Sequence, residues 1–234
     1  MLSVIIPVYN EEKQIEKTIK EVKSVTAQLD EDFEIIVIDD GSSDNTWHIL
    51  KGLAGKNPEV SAFRFSRNFG KEAAIMAGLS NAKGDACITM DADLQHPPEL
   101  IPEMIRFWKE GFEVVEAVKK DRGKETPVSR FSASLFYKIM HRLSGFNLQN
   151  ASDYKLLDKK VVHEIVQMPE KETFFRGLTA WVGYKRTEVY FSVPERKTGK
   201  SGWSKLKLFR LAITAFTSFS SLPLQFHSFS ASRH

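Results

Sequence analysis

The chain has 234 residues, of which 42% are hydrophobic and 27% charged, and its formal net charge is +3. This length is sufficient for one large buried core, and so small a net charge does not indicate a nucleic-acid-binding protein. The single cysteine, Cys87, excludes an internal disulfide framework and a cysteine-based metal site.

The sequence shows neither a membrane-spanning run nor a leader. No stretch approaches the roughly 18 to 20 continuous apolar residues that span a bilayer. The first residues lack the basic leader and the small-residue cleavage site of a signal peptide. We therefore expect a soluble or peripheral protein on the cytoplasmic side.

Apolar, β-branched runs alternate with helical periodicity through the first half of the chain. Strands are predicted at residues 2–8, 33–38, 60–65, 85–90 and 114–118, with a helix between each pair. Nearly continuous apolar strands of this kind are typical of a parallel sheet that is covered on both faces. The pattern therefore predicts a Rossmann-like α/β fold.

Polar clusters follow four of these strands at the point where each strand ends. They are residues 7–11, 39–44, 66–71 and 91–96. In parallel sheets, ligands bind beyond the carboxyl ends of the strands. We therefore expect the functional site at this edge of the sheet.

The fourth cluster contains two aspartates, Asp91 and Asp93, followed by Gln95. In an extended segment, residues i and i+2 point to the same side, so the two carboxylates are expected to converge on one cation. Mg²⁺ and Mn²⁺ suit such oxygen ligands and leave positions for substrate phosphates. The alternative interpretation is an acidic loop before a helix, because two aspartates with this spacing are common.

The second half of the chain is predicted to add further elements. They are a helix at residues 129–143, a short strand at 151–157, a helix at 159–168, an apolar patch at 174–182 that packs on the sheet, and a strand at 184–193.

The basic surplus lies near the carboxyl end, where residues 185–210 contain eight basic and two acidic side chains. From Lys205 to Ser221, polar and apolar side chains alternate with helical spacing, which predicts an amphipathic helix. This helix has two interpretations, since it can lie on a bilayer or pack against a partner subunit. We expect a catalytic domain at residues 1–200 and a membrane-interface helix with its tail at 201–234.

Several motifs in this order resemble glycosyltransferase family 2, and more narrowly its polyprenyl-phosphate branch of dolichol-phosphate mannose synthases and bactoprenol glucosyltransferases. The resemblance extends over residues 2–224. The motifs are Ser3-Val4-Ile5-Ile6-Pro7-Val8-Tyr9-Asn10-Glu11-Glu12, Ile38-Asp39-Asp40-Gly41-Ser42-Ser43-Asp44, Arg67-Asn68-Phe69-Gly70-Lys71, Asp91-Ala92-Asp93-Leu94-Gln95-His96-Pro97-Pro98, Ser152-Asp153-Tyr154, residues 195–204 and Ser221-Leu222-Pro223-Leu224.

The resemblance implies a GT-A fold and an inverting transfer of a hexose-type sugar. The donor implied is a nucleotide diphosphate sugar, with a UDP-sugar favoured over GDP-mannose. The acceptor implied is a polyprenyl phosphate, undecaprenyl or dolichyl, at the cytoplasmic face of the membrane, which residues 203–224 contact. Attachment is expected to be peripheral for the chain as it stands, and integral if the chain is a piece of a longer protein.

The resemblance also implies a set of site residues. Asp91, Asp93 and Gln95 hold Mg²⁺ or Mn²⁺, and Asp93 and Asp153 serve in catalysis. Nucleotide-binding positions are Pro7, Tyr9, Asn10, Glu11, Asp39, Lys71, Asp91 and Ala92. Positions that contact the acceptor phosphate are Arg122, Arg130, Ser134, Arg196 and Lys200.

Each of these roles has a simpler alternative. Glu11 can serve only to stabilise a helix start, each arginine can be a surface ion-pair partner, and Asp153 can be a base, an acceptor-orienting group or a structural carboxylate. Asp40 and Asp44 are interpreted as turn and cap residues. His96 is expected to cap the helix after it or to orient Gln95.

Two other functions compete with this hypothesis. One is a family 2 enzyme with a saccharide or other soluble acceptor. The second is a catalytically silent scaffold that binds a nucleotide sugar. The sugar, the base of the donor and the association of identical chains into an oligomer are left open.

Overall fold

The computed structural model describes residues 1–120, 152–168 and 174–192. The strands in these ranges are β1 (Leu2–Val8), β2 (Phe33–Asp39), β3 (Val60–Arg64), β4 (Ala86–Thr89), β5 (Val114–Lys119), β6 (Lys155–Asp158) and β7 (Arg186–Phe191). The helices are α1 (Ile15–Thr26), α2 (Thr46–Ala54), α3 (Lys71–Asn81), α4 (Ile101–Lys109), α5 (Lys159–Gln167) and α6 (Phe175–Trp181), with a 3₁₀ turn (Pro98–Leu100) before α4.

The strands form one sheet in the order β3-β2-β1-β4-β6-β5-β7. Pairing is parallel between β1 and β2, β2 and β3, β1 and β4, and β5 and β7. Only β6, among the described strands, runs against its neighbours, β4 and β5. The predicted mostly parallel sheet is confirmed. Because β6 is reversed, its first residue lies beside the last residue of β4.

Both faces of the sheet are covered by helices, as the continuous apolar strands predict. On one face, α1, α2 and α4 bury apolar side chains against alternate strand residues such as Val4 and Val37. On the other, α3, α5 and α6 pack against residues such as Ile5 and Ile36. A Cβ at Gly78 would lie 2.3 Å from the Ile5 side chain, so α3 lies directly on β1.

The apolar patch expected at residues 174–182 packs against the sheet, and the structure adds that it forms helix α6. Phe175 and Leu178 supply the buried face of this helix. A seven-residue segment is too short for helical periodicity to distinguish it from a buried strand or loop. The helix was therefore not predicted.

In the ranges that the structure describes, no helix is long and apolar enough to cross a bilayer. The helix expected at residues 129–143 and the amphipathic helix expected within residues 201–234 lie outside these ranges.

Candidate active site

The predicted polar clusters lie at one edge of the sheet, because β1, β2, β3 and β4 are parallel neighbours in the order β3-β2-β1-β4. The start of β6 reaches the same edge, since this strand is antiparallel to β4 and Thr89 pairs with Lys155. Asp153, two residues before β6, therefore lies beside the loop that follows β4. We call this edge the rim.

The loops after β1 and β2 are fastened to each other by hydrogen bonds. The Asn10 carboxamide oxygen accepts from the Ser43 amide at 2.8 Å, and the Asn10 amide donates to the Ser42 hydroxyl at 2.9 Å. Asn10 has a left-handed backbone with φ of 55°, which is uncommon for a residue other than glycine. The side chain of the preceding residue, Tyr9, is 47% exposed at this edge.

The beginning of α1 lies just beyond these loops. The Glu11 carbonyl oxygen accepts from the Gln14 and Ile15 amides, both at 3.0 Å. The Glu11 amide itself donates to the Thr46 hydroxyl at 2.8 Å. The backbone of Glu11 is thus fixed by two main-chain hydrogen bonds and by its bond to the Thr46 hydroxyl.

The interpretation of Asp44 as a cap residue is confirmed. Its carboxylate accepts from the amide and the hydroxyl of Thr46, the first residue of α2, at 3.0 and 2.6 Å. It also accepts from the Glu12 amide at 3.3 Å. Asp44 therefore links the starts of two rim elements.

Asp39, at the end of β2, is fully buried and paired with a cation. One carboxylate oxygen accepts from the Ser42 amide at 2.9 Å. The other lies 3.2 Å from Nε of Arg64, as an ion pair without hydrogen-bond alignment. Arg64 also donates to the Ser42 carbonyl at 2.7 Å, so this arginine braces the turn that follows Asp39.

Asp40 does more than form the turn expected of it. It is buried, and its two carboxylate oxygens accept from the amides of Phe69 and Gly70 at 2.7 and 2.9 Å. The next residue, Gly41, has φ of 70° and approaches Arg67 so closely that a Cβ would lie 2.6 Å from the Arg67 carbonyl carbon. Asp40 and Gly41 thus hold the chain that leads into α3.

Lys71, the first residue of α3, joins two carboxylates from different parts of the chain. Its Nζ lies 2.5 Å from Oδ1 of Asp91 and 2.7 Å from Oδ2 of Asp153. Burial alone would lower the pKa of Lys71, but the charges of Asp153 and Asp91 and their hydrogen bonds raise it. Lys71 therefore remains an ammonium ion between the two aspartates.

Asp153 is nearly buried, with 6% of its surface exposed. Arg176 binds it with two parallel contacts, Nε to Oδ1 at 2.6 Å and Nη2 to Oδ2 at 2.8 Å. Although burial acts in the opposite direction, Arg176 and Lys71 hold the pKa of Asp153 well below its usual range. The carbonyl oxygen of Asp153 also accepts from the Thr89 hydroxyl at 2.5 Å, which ties the residue to β4.

The segment that contains Asp91 and Asp93 is not extended, so the expected geometry of alternating side chains is wrong here. Strand β4 ends at Thr89, and a turn begins at Ala92. Asp93 stabilises this turn because its Oδ1 accepts from the Gln95 amide at 3.0 Å. Leu94 has a left-handed backbone with φ of 55°.

Ala92 packs inward between the two aspartates and is 4% exposed. Its carbonyl oxygen accepts from the Thr18 hydroxyl of α1 at 2.5 Å. This contact anchors the turn to α1. Through its backbone, Ala92 thus fixes the positions from which Asp91 and Asp93 project.

His96 packs against the site and does not cap a helix, so the expected capping role is wrong. Its ring lies 5.1 Å from that of Tyr154, and its Nδ1 lies 3.7 Å from Oδ2 of Asp91. The residues before the 3₁₀ turn and α4 are Pro97 and Leu100, and neither makes a side-chain capping hydrogen bond. Burial lowers the pKa of His96, which favours the neutral ring.

The donor atoms of the turn fit a hard cation. In the described ranges, no group of three or more His, Cys, Asp or Glu side chains could hold a metal ion. Mg²⁺, however, is commonly held by one or two carboxylates together with substrate phosphates. The carboxylates of Asp91 and Asp93 and the side-chain carboxamide oxygen of Gln95 are a set of oxygens of this kind.

Two charged residues of the site were missed by sequence reasoning, Glu72 and Arg176. Oε2 of Glu72 accepts from the Phe175 amide at 2.8 Å. Burial, with the nearby charge of Asp153, raises the pKa of Glu72 to about 7. The available signal was the position of Arg176, a charge inside the apolar run Phe174–Val182.

The residues expected to contact the acceptor phosphate lie outside the described ranges. They are Arg122, Arg130, Ser134, Arg196 and Lys200. Pro7, by contrast, is buried within β1 and pairs with Ile38.

Comparisons with known proteins agree with this architecture. Residues 3–166 match the profile of the family described as Glycosyl transferase family 2. An uncharacterised glycosyltransferase of Synechocystis sp. is 42% identical over 225 residues, which cover 96% of this chain and 71% of that protein. A prophage bactoprenol glucosyl transferase homolog of Escherichia coli is 39% identical over 225 residues, covering 96% of this chain and 74% of that protein.

A solved structure shares the fold at lower identity. Glucosyl-3-phosphoglycerate synthase from Mycobacterium tuberculosis, in complex with Mn²⁺, UDP-glucose and phosphoglyceric acid, superposes with a TM-score of 0.62 and 21% identity. The match covers 93% of this chain and 79% of that one. This likeness confirms the predicted GT-A fold. On the match to the family over residues 3–166 and on relatives near 40% identity, the chain belongs to glycosyl transferase family 2.

Proposed function

We propose that this chain is an inverting, metal-dependent glycosyltransferase that makes a polyprenyl-phosphate sugar at the cytoplasmic face of the membrane. The donor is a nucleotide diphosphate sugar, with a UDP-sugar favoured and GDP-mannose as the alternative. The observation that carries the proposal is the bridge formed by Lys71 between Asp91 and Asp153. It joins the turn expected to hold the donor to the carboxylate expected on the acceptor side.

The nucleoside is assigned to the loops after β1 and β2. The exposed ring of Tyr9 offers a face on which a base can stack. Glu11 can accept from ribose hydroxyls, and Asp39, which lies buried beneath these loops, is assigned to the edge of the base on the family resemblance alone. Support comes from the tight linkage of these loops, which gives the nucleoside a preorganised surface. Pro7, Asn10 and Ala92 complete the set.

A divalent cation, Mg²⁺ or Mn²⁺, is assigned to Asp91, Asp93 and Gln95. When bound, such an ion stabilises the negative charge that develops on the departing diphosphate. The turn closed by Asp93 and anchored by Thr18 holds these residues in place before any ligand arrives.

Lys71 supplies a second positive charge beside the same turn. Because it is already an ammonium ion and is fixed beside this turn at the start of α3, its positive charge is preorganised near the proposed diphosphate site. Such preorganised charges stabilise the transition state more than the ground state, which is what accelerates the reaction.

The acceptor phosphate is already anionic near neutral pH, because the second pKa of a phosphate monoester is about 6. Its oxygen attacks the anomeric carbon from the face opposite the diphosphate. The new bond from carbon to the acceptor oxygen forms while the bond to the diphosphate oxygen breaks with its electron pair. This step inverts the anomeric configuration and needs no strong base.

An anionic acceptor needs cationic contacts. Arg122, Arg130 and Arg196 are assigned to its phosphate, with Ser134 and Lys200, on the basis of the family resemblance alone. Arginine suits this role because its planar fork contacts two phosphate oxygens at once.

Membrane contact is assigned to residues 203–224. Each basic side chain near an anionic leaflet contributes on the order of 1 kcal/mol, and each buried Phe, Leu or Ile about 1.5 to 3 kcal/mol. Insertion of the apolar face would therefore dominate, with the charges setting orientation. Support comes from relatives named bactoprenol glucosyl transferases, whose names refer to a lipid acceptor.

The test is incubation of the chain with Mn²⁺, undecaprenyl phosphate and a panel of nucleotide sugars, followed by extraction into organic solvent. We expect labelled sugar in the organic phase with one donor and none when the lipid is omitted. Transfer only to soluble saccharides would support the soluble-acceptor alternative, and no turnover with any acceptor would support the scaffold. Co-sedimentation with anionic vesicles separates the lipid enzyme from the soluble-acceptor enzyme, since only the lipid enzyme is expected to bind the vesicles.

A further inference from the structure

Arg176 makes a two-point ion pair with the nearly buried Asp153. Paired contacts of this kind fix both distance and orientation, and they are stronger than single hydrogen bonds between neutral groups. Lys71 is a second cation at Asp153, on the oxygen that also accepts from Nη2 of Arg176. The orientation of Asp153 therefore depends on Arg176.

Arg176 is held in place by the helix that carries it. At the start of α6, the Phe175 amide donates to Glu72 at 2.8 Å. One turn later, Thr179 accepts a hydrogen bond from the ammonium of Lys155. Lys155 is itself fully buried and paired with Glu116 at 2.5 Å. These contacts on either side make Arg176 a fixed donor rather than a mobile surface arginine.

Loss of Arg176 would also affect the turn that contains Asp91. Lys71 is shared between Asp153 and Asp91, and Arg176 supplies part of the positive charge that Asp153 needs. Without Arg176, the buried carboxylate of Asp153 would have Lys71 as its main partner and would draw it away from Asp91. Loss of the guanidinium would thus change the position of Lys71 relative to Asp91.

We propose that Arg176 is a positioning residue for sugar transfer, acting through Asp153 to hold Lys71 against the Asp91 turn. This inference rests on the proposed function of the site. It assigns Asp153 the part of an ionised anchor, because a carboxylate held by two cations is a poor proton acceptor.

The experiment compares wild type with Arg176→Ala, Arg176→Lys and Arg176→Gln in the full chain. Arg106→Ala is the matched control, because Arg106 is an exposed arginine of α4 that pairs with Glu103 and Glu110. Turnover is measured with the nucleotide sugar, Mn²⁺ and the lipid acceptor, and binding of UDP with Mn²⁺ is measured separately by calorimetry. Thermal unfolding of each variant shows that the protein compared is folded.

We expect Arg176→Ala to lower kcat about 100-fold, because displaced catalytic groups cost rate rather than binding. UDP affinity should stay within about threefold of wild type, and Arg176→Lys should retain an intermediate rate because lysine keeps the charge without the fork. Millimolar guanidinium should restore part of the rate of Arg176→Ala, since the Arg176 side chain is 36% exposed and its place is open to a small cation. Arg106→Ala should behave like wild type.

Three results would overturn the inference: a kcat within threefold of wild type, a loss of UDP affinity equal to the loss of kcat, or no rescue by guanidinium. If Arg176→Ala does not fold, the decrease in kcat and the UDP affinity are measured on Arg176→Gln, which also lacks the charge. A wild-type protein that makes no lipid-linked sugar overturns the proposed function instead. The inference is then tested on hydrolysis of the donor, where the same loss and the same rescue are expected.

Discussion

The ammonium of Lys71, at the start of α3, lies 2.5 Å from the carboxylate of Asp91, in the loop that follows β4. The cation that neutralises Asp91 in this structure is therefore the chain's own. The position of this pair depends on Asp40, which binds the two amides immediately before Lys71. The arrangement makes the first residue of α3 a part of the proposed diphosphate site.

Replacing Lys71 with methionine tests its charge while keeping most of its volume. We expect kcat to fall about 100-fold, since a preorganised charge at a departing group is worth about 2.7 to 4 kcal/mol. Steady-state kinetics with the nucleotide sugar measure this effect. Lys17→Met, which removes an exposed lysine of α1 paired with Glu21, is the control and should leave kcat unchanged. Equal rates for the two variants would exclude a role for Lys71.

Removal of the metal site should abolish turnover. We expect Asp93→Ala to lower kcat at least about 100-fold, because a cation at the departing diphosphate contributes several kcal/mol. Chelation by EDTA should have the same effect on wild type, with recovery on addition of Mn²⁺. Asp85→Ala, which changes an exposed aspartate paired with the amino terminus, serves as control. Full activity in EDTA would show that the reaction needs no metal ion.

The pH dependence of stability should change when Glu72 is replaced with glutamine, which can still accept from the Phe175 amide. Burial raises the pKa of Glu72 from 4.5 to about 7. A raised pKa means that the folded protein binds this proton more tightly, so the associated stability is present below pH 4.5 and is lost as the pH rises through 7.

We therefore expect the stability of Glu72→Gln relative to wild type to be greater above pH 7 than at pH 4.5, by roughly 1 to 3 kcal/mol. Urea unfolding at both pH values measures this change. The control is Glu103→Gln, which removes an exposed carboxylate of α4 and is measured at the same two pH values. A difference from wild type that is equal at both pH values would contradict the assignment.

Two glycines of neighbouring elements should respond oppositely to alanine. Gly41→Ala places a Cβ 2.6 Å from the Arg67 backbone at φ of 70°, and we expect a loss of about 2 to 4 kcal/mol of stability. Gly52 lies within α2 with no atom within 4 Å of an added Cβ, so Gly52→Ala should gain about 0.5 to 1 kcal/mol. Thermal or urea unfolding distinguishes the two, and a stable Gly41→Ala would contradict the close approach seen here.

Most of the sheet could be predicted because its strands are buried on both faces and appear as continuous apolar runs. The position of Asp153 close to Asp91, on the other side of Lys71, could not be predicted, because periodicity gives neither the order nor the direction of strands. It depends on β6 lying antiparallel beside β4. The cation-binding role of Asp91 was predicted from its spacing with Asp93 and from the type of its side chain, whereas the role of Asp153 came from the family resemblance.

The local geometry of the site was predicted less well. The alternation of side chains expected for Asp91 and Asp93 holds only in extended backbone, and the hydrogen bond from the Gln95 amide to Asp93 turns the chain there. Arg176 was hidden in a run whose other members are largely apolar, and only its partner in the folded chain, Asp153, identifies its role.

Phosphorus NMR of undecaprenyl phosphate tests the central claim most directly, because it follows the acceptor atom itself. With wild-type protein, Mn²⁺ and a nucleotide sugar, we expect the phosphomonoester signal to be replaced by a phosphodiester signal in step with release of the nucleoside diphosphate. A phosphomonoester signal that stays unchanged while nucleoside diphosphate is released would contradict transfer to the lipid phosphate.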